Sequence, residues 1–197
     1  MHTFAYKNYL LRKVLKKIAD FRTPLSHDRP NWEQKNYWLR LAGLNISKCG
    51  VAIGSGFRCI DGHEEKIFID DYAAIGYNVH LWNFDNIRIG RFCMIAADVV
   101  ITNGWHNKNT FEPGSGPVAV GNGCWIGTAA RIVGGITIGD NSIVGAGAVV
   151  IDDVPPSSIA VGVPAKIIGV RDLPDRVWHL GNVYFSPREF QLMDRPE

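Results

Sequence analysis

A period of six residues runs through the second half of the chain and constrains its fold more than any other feature. An aliphatic residue or proline occupies every sixth position in the series Val120, Ile126, Ile132, Ile138, Val144, Val150 and Pro156. This period matches neither the 3.6-residue turn of an α-helix nor the two-residue alternation of a flat strand. It predicts three short strands per coil of a triangular prism, with each inward side chain stacked on the one a coil earlier.

The same period continues upstream. Ile53 marks the first coil, and the later anchors are Ile69, Ile75, Leu81 and Ile87, then, after a shift of two residues, Ile89, Ile95 and Ile101. We therefore predict a mainly β protein with a parallel β-helix over residues 45–169. A helical segment, residues 1–44, precedes it, and a tail, residues 170–197, follows. Six or seven coils at ~4.8 Å each would form a prism about 30 Å long.

Residues 4–21 have the spacing of an amphipathic helix, and a second helix is predicted over residues 32–42. The apolar face holds Phe4, Leu10, Leu11, Val14, Leu15, Ile18 and Phe21, and the basic face holds Lys7, Arg12, Lys13, Lys16 and Lys17. Residues 1–40 carry nine Lys or Arg against three Asp or Glu, a net charge of +6. Two explanations fit: a helix packed on the prism with a solvated basic face, or a helix held on an anionic membrane surface.

Composition narrows the protein class. No apolar run reaches the ~18 residues of a membrane-spanning helix, and the first residues lack the apolar core and cleavage site of a signal peptide. The four cysteines, Cys49, Cys59, Cys93 and Cys124, show no zinc-binding spacing, which is typical of a reduced cytoplasmic protein. No basic stripe interleaved with aromatic residues indicates nucleic-acid binding. The tail, with Trp178, Tyr184, Phe185 and Phe190, is predicted to cap the last coil as a helix or an irregular segment.

One segment, residues 103–117, interrupts the repeat and contains His106. Turn-forming residues dominate it and no six-residue phase survives, so a protruding loop is predicted. Functional sites are commonly built on loops that a rigid scaffold carries. Histidine suits a general base because its unperturbed pKa of ~6.5 lies near working pH. His80, one residue before the anchor Leu81, is the second candidate, although a structural role suits it better.

Two segments resemble the hexapeptide-repeat acyltransferases. Residues 120–169, with the motifs W-I-G and G-V-P-A-K, resemble that family's C-terminal coils, and residues 75–106 resemble its sugar O-acetyltransferase branch. That branch includes maltose, galactoside, colanic-acid and exopolysaccharide acetyltransferases. The resemblance implies a left-handed β-helix, a homotrimer with active sites between subunits, and acetyl-CoA as co-substrate without a metal. It also implies acetyl transfer to a hydroxyl of a surface polysaccharide or of its lipid-linked precursor.

The resemblance implies roles for individual residues as well. His106 matches the family's catalytic base, and Asn83 matches an asparagine that binds the acceptor sugar. Further acceptor contacts are expected from Asp85, Trp82 and Trp105. The residues matched to coenzyme contacts are Gly127, Thr128, Ala146 and Gly147 along the pantetheine arm, with Lys166 and Arg171 near the phosphates. A backbone N–H is expected to stabilise the tetrahedral oxyanion.

Other functions fit parts of the pattern. An N-acetyltransferase of amino sugars would share the fold, as would an antibiotic-modifying acetyltransferase, which usually has a longer helical insertion in the loop. A γ-type carbonic anhydrase needs three histidines around zinc, but no histidine follows His106 until His179. A non-catalytic scaffold would not need the loop histidine or the coenzyme motifs.

Overall fold

Two helices precede the repeat. The computed structural model describes residues 2–21, 29–60, 62–173, 177–179 and 183–185, with side chains described over 9–19, 32–60 and 62–173. Helix α1 spans His2–Phe21 and helix α2 spans Arg29–Leu41, close to the two predicted helices. Neither helix, over the ranges described, is long and apolar enough to span a bilayer.

The strands are two to six residues long, and one turn of 3₁₀-helix, Glu64–Lys66, interrupts them. In chain order within the described residues they are β1 Asn45–Ile46, β2 Ala52–Ile53, β3 Arg58–Cys59, β4 Ile67–Ile69, β5 Ala74–Ile75, β6 His80–Trp82, β7 Ile87–Ile89, β8 Met94–Ile95, β9 Val100–Thr102, β10 Gly104–His106, β11 Pro113–Ser115, β12 Val118–Val120, β13 Trp125–Ile126, β14 Arg131–Val133, β15 Thr137–Ile138, β16 Ile143–Val144, β17 Val149–Val150, β18 Ser158–Gly162, β19 Ala165–Val170, β20 Val177–His179 and β21 Val183–Phe185.

Three parallel sheets form the faces of a prism. Face A has the order β1-β4-β7-β12-β15, face B has β2-β5-β8-β13-β16-β18, and face C has β3-β6-β9-β14-β17. The chain visits A, B and C in turn, so three consecutive strands make one coil. Strand β19 turns back antiparallel on β18 and ends the stack. In the tail, β20 pairs antiparallel with β21, where the sequence predicted a helix or an irregular segment.

The predicted anchors form the core. The buried stacks are Ile46, Ile69, Ile89, Val120 and Ile138 on face A, Ile53, Ile75, Ile95, Ile126 and Val144 on face B, and Leu81, Ile101, Ile132 and Val150 on face C. Each such side chain contributes roughly 1.5–3 kcal/mol through burial. The period fails at its last step, because Pro156 is exposed and Val154 bridges Ile138 instead. Neither Pro155 nor Pro156 has an N–H to donate to a strand ladder.

The three corners of the prism differ. Corner AB turns through residues with positive φ, namely Gly50, Tyr72, Phe92, Gly123, Asn141 and Ser157. Corner BC does the same through Gly56, Asn78, Asp98, Ala129 and Gly147. Corner CA carries two longer connections, residues 60–66 and 103–117. The protruding segments therefore share one edge of the prism.

Charged side chains of helix α1 contact the first coil. The Glu64 carboxylate is completely buried, and it accepts hydrogen bonds from Arg12 Nη1 and Lys16 Nζ, both at 2.9 Å. Leu15 is buried nearby in sequence, but three other aliphatic side chains of the helix remain exposed: Leu10, Leu11 and Val14. The explanation with a solvated basic face therefore does not describe Arg12 and Lys16, whose charged groups meet Glu64 instead.

Candidate active site

Residues 103–117 form a β-hairpin, called the arm here, that leaves the prism at corner CA. Strand β10 pairs with β11 through Gly104↔Ser115, Trp105↔Gly114 and His106↔Pro113. The sequence predicted only a loop, because no apolar alternation marks either strand. The hairpin gives His106 a defined position on a strand rather than on an irregular segment.

Asn103 holds the base of the arm. Its side chain is completely buried; Oδ1 accepts from the Asp85 N–H at 3.1 Å, and Nδ2 donates to the Asn86 carbonyl at 3.2 Å. Its backbone N–H donates to the Trp82 carbonyl at 3.3 Å, and its carbonyl accepts from the Gly116 N–H at 3.2 Å. Asn103 thus joins both strands of the arm to the preceding coil. Sequence reasoning missed this residue, because an asparagine before a glycine indicates only a turn.

Asn83 occupies the equivalent place one coil earlier. It is also completely buried, and its Oδ1 accepts from the Ile60 N–H at 2.9 Å while its Nδ2 donates to the His63 carbonyl at 2.6 Å. Both polar groups of the amide are therefore occupied within the chain. Asn83 thus has a structural role at corner CA, and its contact with the acceptor stays a prediction.

The imidazole of His106 is oriented by the tip of the arm. Its Nδ1 lies 2.8 Å from the Phe111 carbonyl oxygen, and the Phe111 N–H donates to the Asn107 carbonyl at 2.8 Å. A carbonyl only accepts hydrogen bonds, so this contact assigns the proton to Nδ1 and leaves the lone pair on Nε2. The side chain is exposed. The free Nε2 is therefore available to take a proton from a hydroxyl group.

Aromatic side chains surround the base of the arm. Trp82 is 51% exposed and Trp105 is 45% exposed. Trp105 lies against the return strand of the arm, where a Cβ on Gly114 would sit 2.6 Å from its Nε1. Phe84 packs on Gly104 in the same way. Gly104 and Gly114 therefore leave room for aromatic rings to pack against the backbone of the arm. The indole faces of Trp82 and Trp105 stay open to a ligand.

Asp85 lies at the same corner and is half-buried. Its Oδ1 accepts a hydrogen bond from the Asn86 N–H at 2.6 Å. The structure thus brings together at corner CA all of the side chains predicted to contact the acceptor or to act as base: Trp82, Asn83, Asp85, Trp105 and His106.

Four of the residues matched to coenzyme contacts line corner BC. Thr128 and Ala146 are exposed and stack in adjacent coils, since the Gly147 N–H donates to the Thr128 carbonyl at 2.8 Å. A Cβ on Gly127 would lie 2.5 Å from the Ala146 nitrogen, so this position has room only for glycine. These four small residues therefore leave this stretch of the edge, called the groove here, without large side chains.

Lys166 extends the same edge by one strand. It is exposed and pairs with Val161 in the β18–β19 hairpin. Val161 in turn lies over Gly145, where an added Cβ would be 2.7 Å from its Cγ1. The Lys166 ammonium group is therefore available at the end of the groove.

Arg171 lies at a different edge. Its Nη1 donates to the carbonyls of Gly123, at 2.8 Å, and Asn141, at 3.2 Å, both at corner AB. Burial lowers the pKa of this guanidinium group. The expected contact between Arg171 and coenzyme phosphates does not agree with this position, because the side chain ties the tail to the last coils instead.

The residues matched to the acceptor and those matched to the coenzyme lie on two different edges of the prism. Six residues separate Thr128 at corner BC from Gly134 at corner CA, a span of at most about 20 Å across face C. The arm projects outward from corner CA. Within one chain, the two predicted sets of residues are therefore separated by face C.

Within the described ranges, no three His, Cys, Asp or Glu side chains are grouped to hold a metal ion. None of the four cysteines forms a disulfide. Cys93 and Cys124 are buried within successive coils, and burial raises the pKa of the Cys93 thiol well above its usual value.

Comparison with known proteins identifies the family. Residues 117–152 match the family described as bacterial transferase hexapeptide (six repeats). The chain is 31% identical over 137 residues to the putative colanic acid biosynthesis acetyltransferase WcaF of Escherichia coli K12, covering 68% of this chain and 74% of that one. The chain belongs to the hexapeptide-repeat acetyltransferases. It is also 35% identical over 125 residues to the galactoside O-acetyltransferase of the same organism, a match that spans 55% of this chain and 61% of the relative.

Solved structures of this acetyltransferase family have the same fold. A maltose O-acetyltransferase from Clostridium difficile 630 superposes with a TM-score of 0.70 at 27% identity, covering 86% of this chain and 89% of its own. A galactoside acetyltransferase in complex with coenzyme A gives a TM-score of 0.71 at 26% identity, covering 85% and 82%. These similarities confirm the predicted class, a left-handed parallel β-helix of hexapeptide repeats.

Proposed function

We propose that this acetyltransferase moves an acetyl group from acetyl-CoA to a hydroxyl of a sugar, within a surface polysaccharide or its lipid-linked precursor. The observation that carries the proposal is the orientation of His106, whose Nδ1 is bound to the Phe111 carbonyl while Nε2 faces outward. The relatives named for colanic acid and galactoside acetylation support the sugar acceptor. The coenzyme A complex of a structural neighbour supports acetyl-CoA as co-substrate.

The proposed mechanism is direct transfer within a ternary complex. His106 Nε2 takes the proton from the acceptor hydroxyl while the hydroxyl oxygen attacks the thioester carbonyl carbon. A backbone N–H stabilises the tetrahedral oxyanion. The C–S bond then breaks, and the imidazolium proton passes to the leaving thiolate. A positioned general base contributes typically 10²–10⁴-fold to the rate.

Corner CA provides the proposed contacts to the acceptor, and corner BC provides those to the coenzyme. Trp82 and Trp105 offer flat apolar faces for sugar rings, and Asp85 offers a carboxylate oxygen to a second hydroxyl. Thr128 and Ala146 border the groove for the pantetheine arm, with Gly127 and Gly147 leaving it clear. Lys166 at its end suits the coenzyme phosphates.

We infer that the functional unit is a homotrimer. The support is geometric, because the arm and the groove lie on different edges of one prism and face C separates them. A neighbouring copy that places its groove against the arm would complete each site. A triangular prism also offers flat faces for threefold packing.

A peripheral membrane contact is the remaining part of the proposal. Leu10, Leu11 and Val14 are about half exposed on α1, and Lys13 and Lys17 are exposed on the same helix. An exposed aliphatic face with flanking lysines suits the boundary of an anionic bilayer. We propose that the enzyme is cytoplasmic, as its cysteine pattern predicts, and that it works at the inner face of the membrane.

Free-thiol release from acetyl-CoA tests the function across a panel of nucleotide sugars, neutral oligosaccharides and amino sugars. Release that depends on a sugar hydroxyl and disappears in His106→Ala is the expected result. Acetylation confined to amino sugars would replace the proposal with N-acetylation. No release with any acceptor, from protein that binds acetyl-CoA, would overturn it.

A further inference from the structure

A cavity of about 360 Å³ opens beside the base of the arm, on the outer side of face C. Its lining includes Arg58, Cys59, Ile60, His80, Leu81 and Trp82. We propose that this cavity binds an oxyanion, a phosphate or a carboxylate, that the saccharide acceptor carries away from its reacting hydroxyl. The inference rests on the proposed function and narrows its substrate class from sugars in general to anionic saccharides.

The two basic groups of the cavity stand side by side. Arg58 on β3 and His80 on β6 are direct partners in the parallel ladder. Each alternates with a residue of the core stack, Cys59 or Leu81, so both side chains lie on the outer surface. An arginine and an imidazole on neighbouring strands present N–H donors to one ligand from two directions, which suits an anion with several oxygens.

Arg58 has no competing partner inside the described chain: its side chain forms no ion pair or hydrogen bond with any residue that the structure describes. Other arginines are engaged, as Arg88 is with Asp70 at 2.9 Å and Arg131 is with the Asp98 carbonyl at 3.1 Å. The positive charge of Arg58 is therefore available for a ligand.

The buried carboxylate of Glu64, near this end of the prism, does not cancel that charge. Lys16 Nζ lies 3.8 Å from the Sγ of Cys59, a lining residue, and 2.9 Å from the Glu64 carboxylate. Glu64 is completely buried and is also bound by Arg12. Its charge is thus matched by two cations.

The cavity lies within reach of the base. Trp82, in its lining, pairs with Thr102 on face C, and four residues lead from Thr102 to His106, at most about 13 Å of extended chain. A saccharide stacked on Trp82 can direct its anionic group to Arg58 and His80 while another hydroxyl approaches Nε2 of His106. The cavity lies between β3 and β6 in the first coils, whereas Lys166, assigned to the coenzyme phosphates, lies on β19 at the other end of the stack, so the cavity is not needed for those phosphates.

The test compares Arg58→Gln with the wild-type protein on three acceptors: a glycosyl phosphate, a uronic-acid oligosaccharide and a neutral oligosaccharide of similar length. Loss of a charge-assisted hydrogen bond should lower kcat/KM for the anionic acceptors about 10–100-fold. The kcat/KM for the neutral acceptor and the KM for acetyl-CoA should not change. Arg131→Gln, which removes another outward arginine from face C, is the matched control and should leave kcat/KM unchanged for all three acceptors.

The outcomes separate the two sources of charge. A loss confined to the glycosyl phosphate assigns the cavity to phosphate, and a loss confined to the uronic acid assigns it to a carboxylate. An equal loss on the neutral acceptor, a raised KM for acetyl-CoA, or no loss at all would overturn the inference.

A binding measurement keeps the inference separate from the proposed function. Titration of galactose 1-phosphate should change the intrinsic tryptophan fluorescence of the wild-type protein and should do so less in Trp82→Phe. Arg58→Gln and His80→Ala should each weaken this binding, His80→Ala by less. Such binding without acetyl transfer to any acceptor would retain the anion site and reject the acetyltransferase function, whereas absence of binding at millimolar concentration would reject the site.

Discussion

The Nδ1 atom of His106 lies 2.8 Å from the carbonyl oxygen of Phe111, so the tip of the arm determines which ring nitrogen can act as a base. The two residues are five positions apart and face each other across the hairpin turn. The contact turns an exposed side chain into one with a fixed tautomer and a fixed direction, which is the requirement for proton transfer in a defined geometry.

Replacement of His106 should affect chemistry and spare coenzyme binding. We expect His106→Ala to lower kcat about 10²–10⁴-fold, with little change in the Kd of acetyl-CoA, because the imidazole meets the thioester rather than the adenosine end. Steady-state kinetics and calorimetry provide the two readouts. His63→Ala, an exposed histidine near the same corner, is the control. An unchanged kcat in His106→Ala would move attention to His80 as the base.

Asn103 should matter for activity through the position of the arm. Asn103→Ala removes two side-chain hydrogen bonds and leaves the Asp85 N–H without its acceptor, at a cost of about 1–3 kcal/mol of stability. We expect kcat to fall at least tenfold, since small displacements of a base are costly.

The control for Asn103 is Asn122→Ala. Asn122 Oδ1 accepts from the Arg91 N–H at 2.9 Å at corner AB, away from the arm. A comparable loss of stability without a loss of kcat is expected there. Equal effects on kcat in both variants would show that Asn103 acts only through general stability.

The sequence predicted the prism well because the six-residue period is set by single inward side chains, each buried at its own position of the repeat. The positions of Ile126 and Ile132 within the repeat are enough to predict that their side chains face inward, and both are buried. The orientation of α1 could not be predicted, because Lys16 and Arg12 face inward only to meet Glu64, more than 45 residues away. Amphipathic spacing identifies a helix but not which face a distant carboxylate will attract.

The candidate site shows the same limit. His106 stands out in the sequence because it lies where the repeat is interrupted, and this position carries no information on the Phe111 contact. Asn83 matches the family's acceptor-binding asparagine, yet its amide is used by the Ile60 N–H and the His63 carbonyl. Hydrogen bonds between coils join residues about 20 positions apart, and no local pattern records them.

Glu64 should make the stability of the protein depend on pH. Burial by itself raises the pKa of this carboxyl group, but the hydrogen bonds and charge of Lys16 and the hydrogen bond from Arg12 outweigh it, and the pKa lies below its ordinary value of 4.5. A lowered folded pKa means that the carboxylate stabilises the fold above pH 4.5 and that this contribution is lost as the pH falls through the folded value.

Glu64→Gln is therefore expected to lower the free energy of unfolding by about 1–3 kcal/mol at pH 7. The difference from the wild type should shrink as the pH falls below 4.5 toward the lowered pKa of the folded protein, because the stabilisation by the wild-type carboxylate is then lost as well. Denaturant unfolding at several pH values measures this. Glu65→Gln, whose side chain is 56% exposed, is the control and should change stability little. A difference independent of pH would reject the electrostatic explanation.

The exposed face of α1 should decide membrane binding. The double variant Leu10→Ser with Val14→Ser removes two aliphatic side chains that are 51% and 47% exposed, so folding should not suffer. We expect it to reduce co-sedimentation with anionic vesicles, and high salt to release the wild type from them. Ile168→Ser with Val170→Ser, two exposed aliphatic residues of β19 at the other end of the prism, is the control. Equal and negligible retention of wild type and variants would leave α1 as a cover for the first coil.

Mixed assemblies provide the test of a site shared between chains. His106→Ala disables the arm, and Ala146→Tyr fills the groove at corner BC, where the stacked position in an earlier coil already carries Tyr77. Ser55→Tyr places the same ring at the same corner in the first coil and should leave acetyl-CoA binding intact. Each disabling variant alone should be nearly inactive.

When the two disabled proteins are unfolded and refolded together, some sites should combine an intact arm from one chain with an intact groove from its neighbour. Random assembly in equal amounts predicts that about one site in four regains both halves. Recovery of roughly a quarter of wild-type activity, with a sedimentation coefficient that fits a trimer, is the expected result. If each chain held a complete site, mixing would restore nothing, since every chain in the mixture would still carry one disabled half.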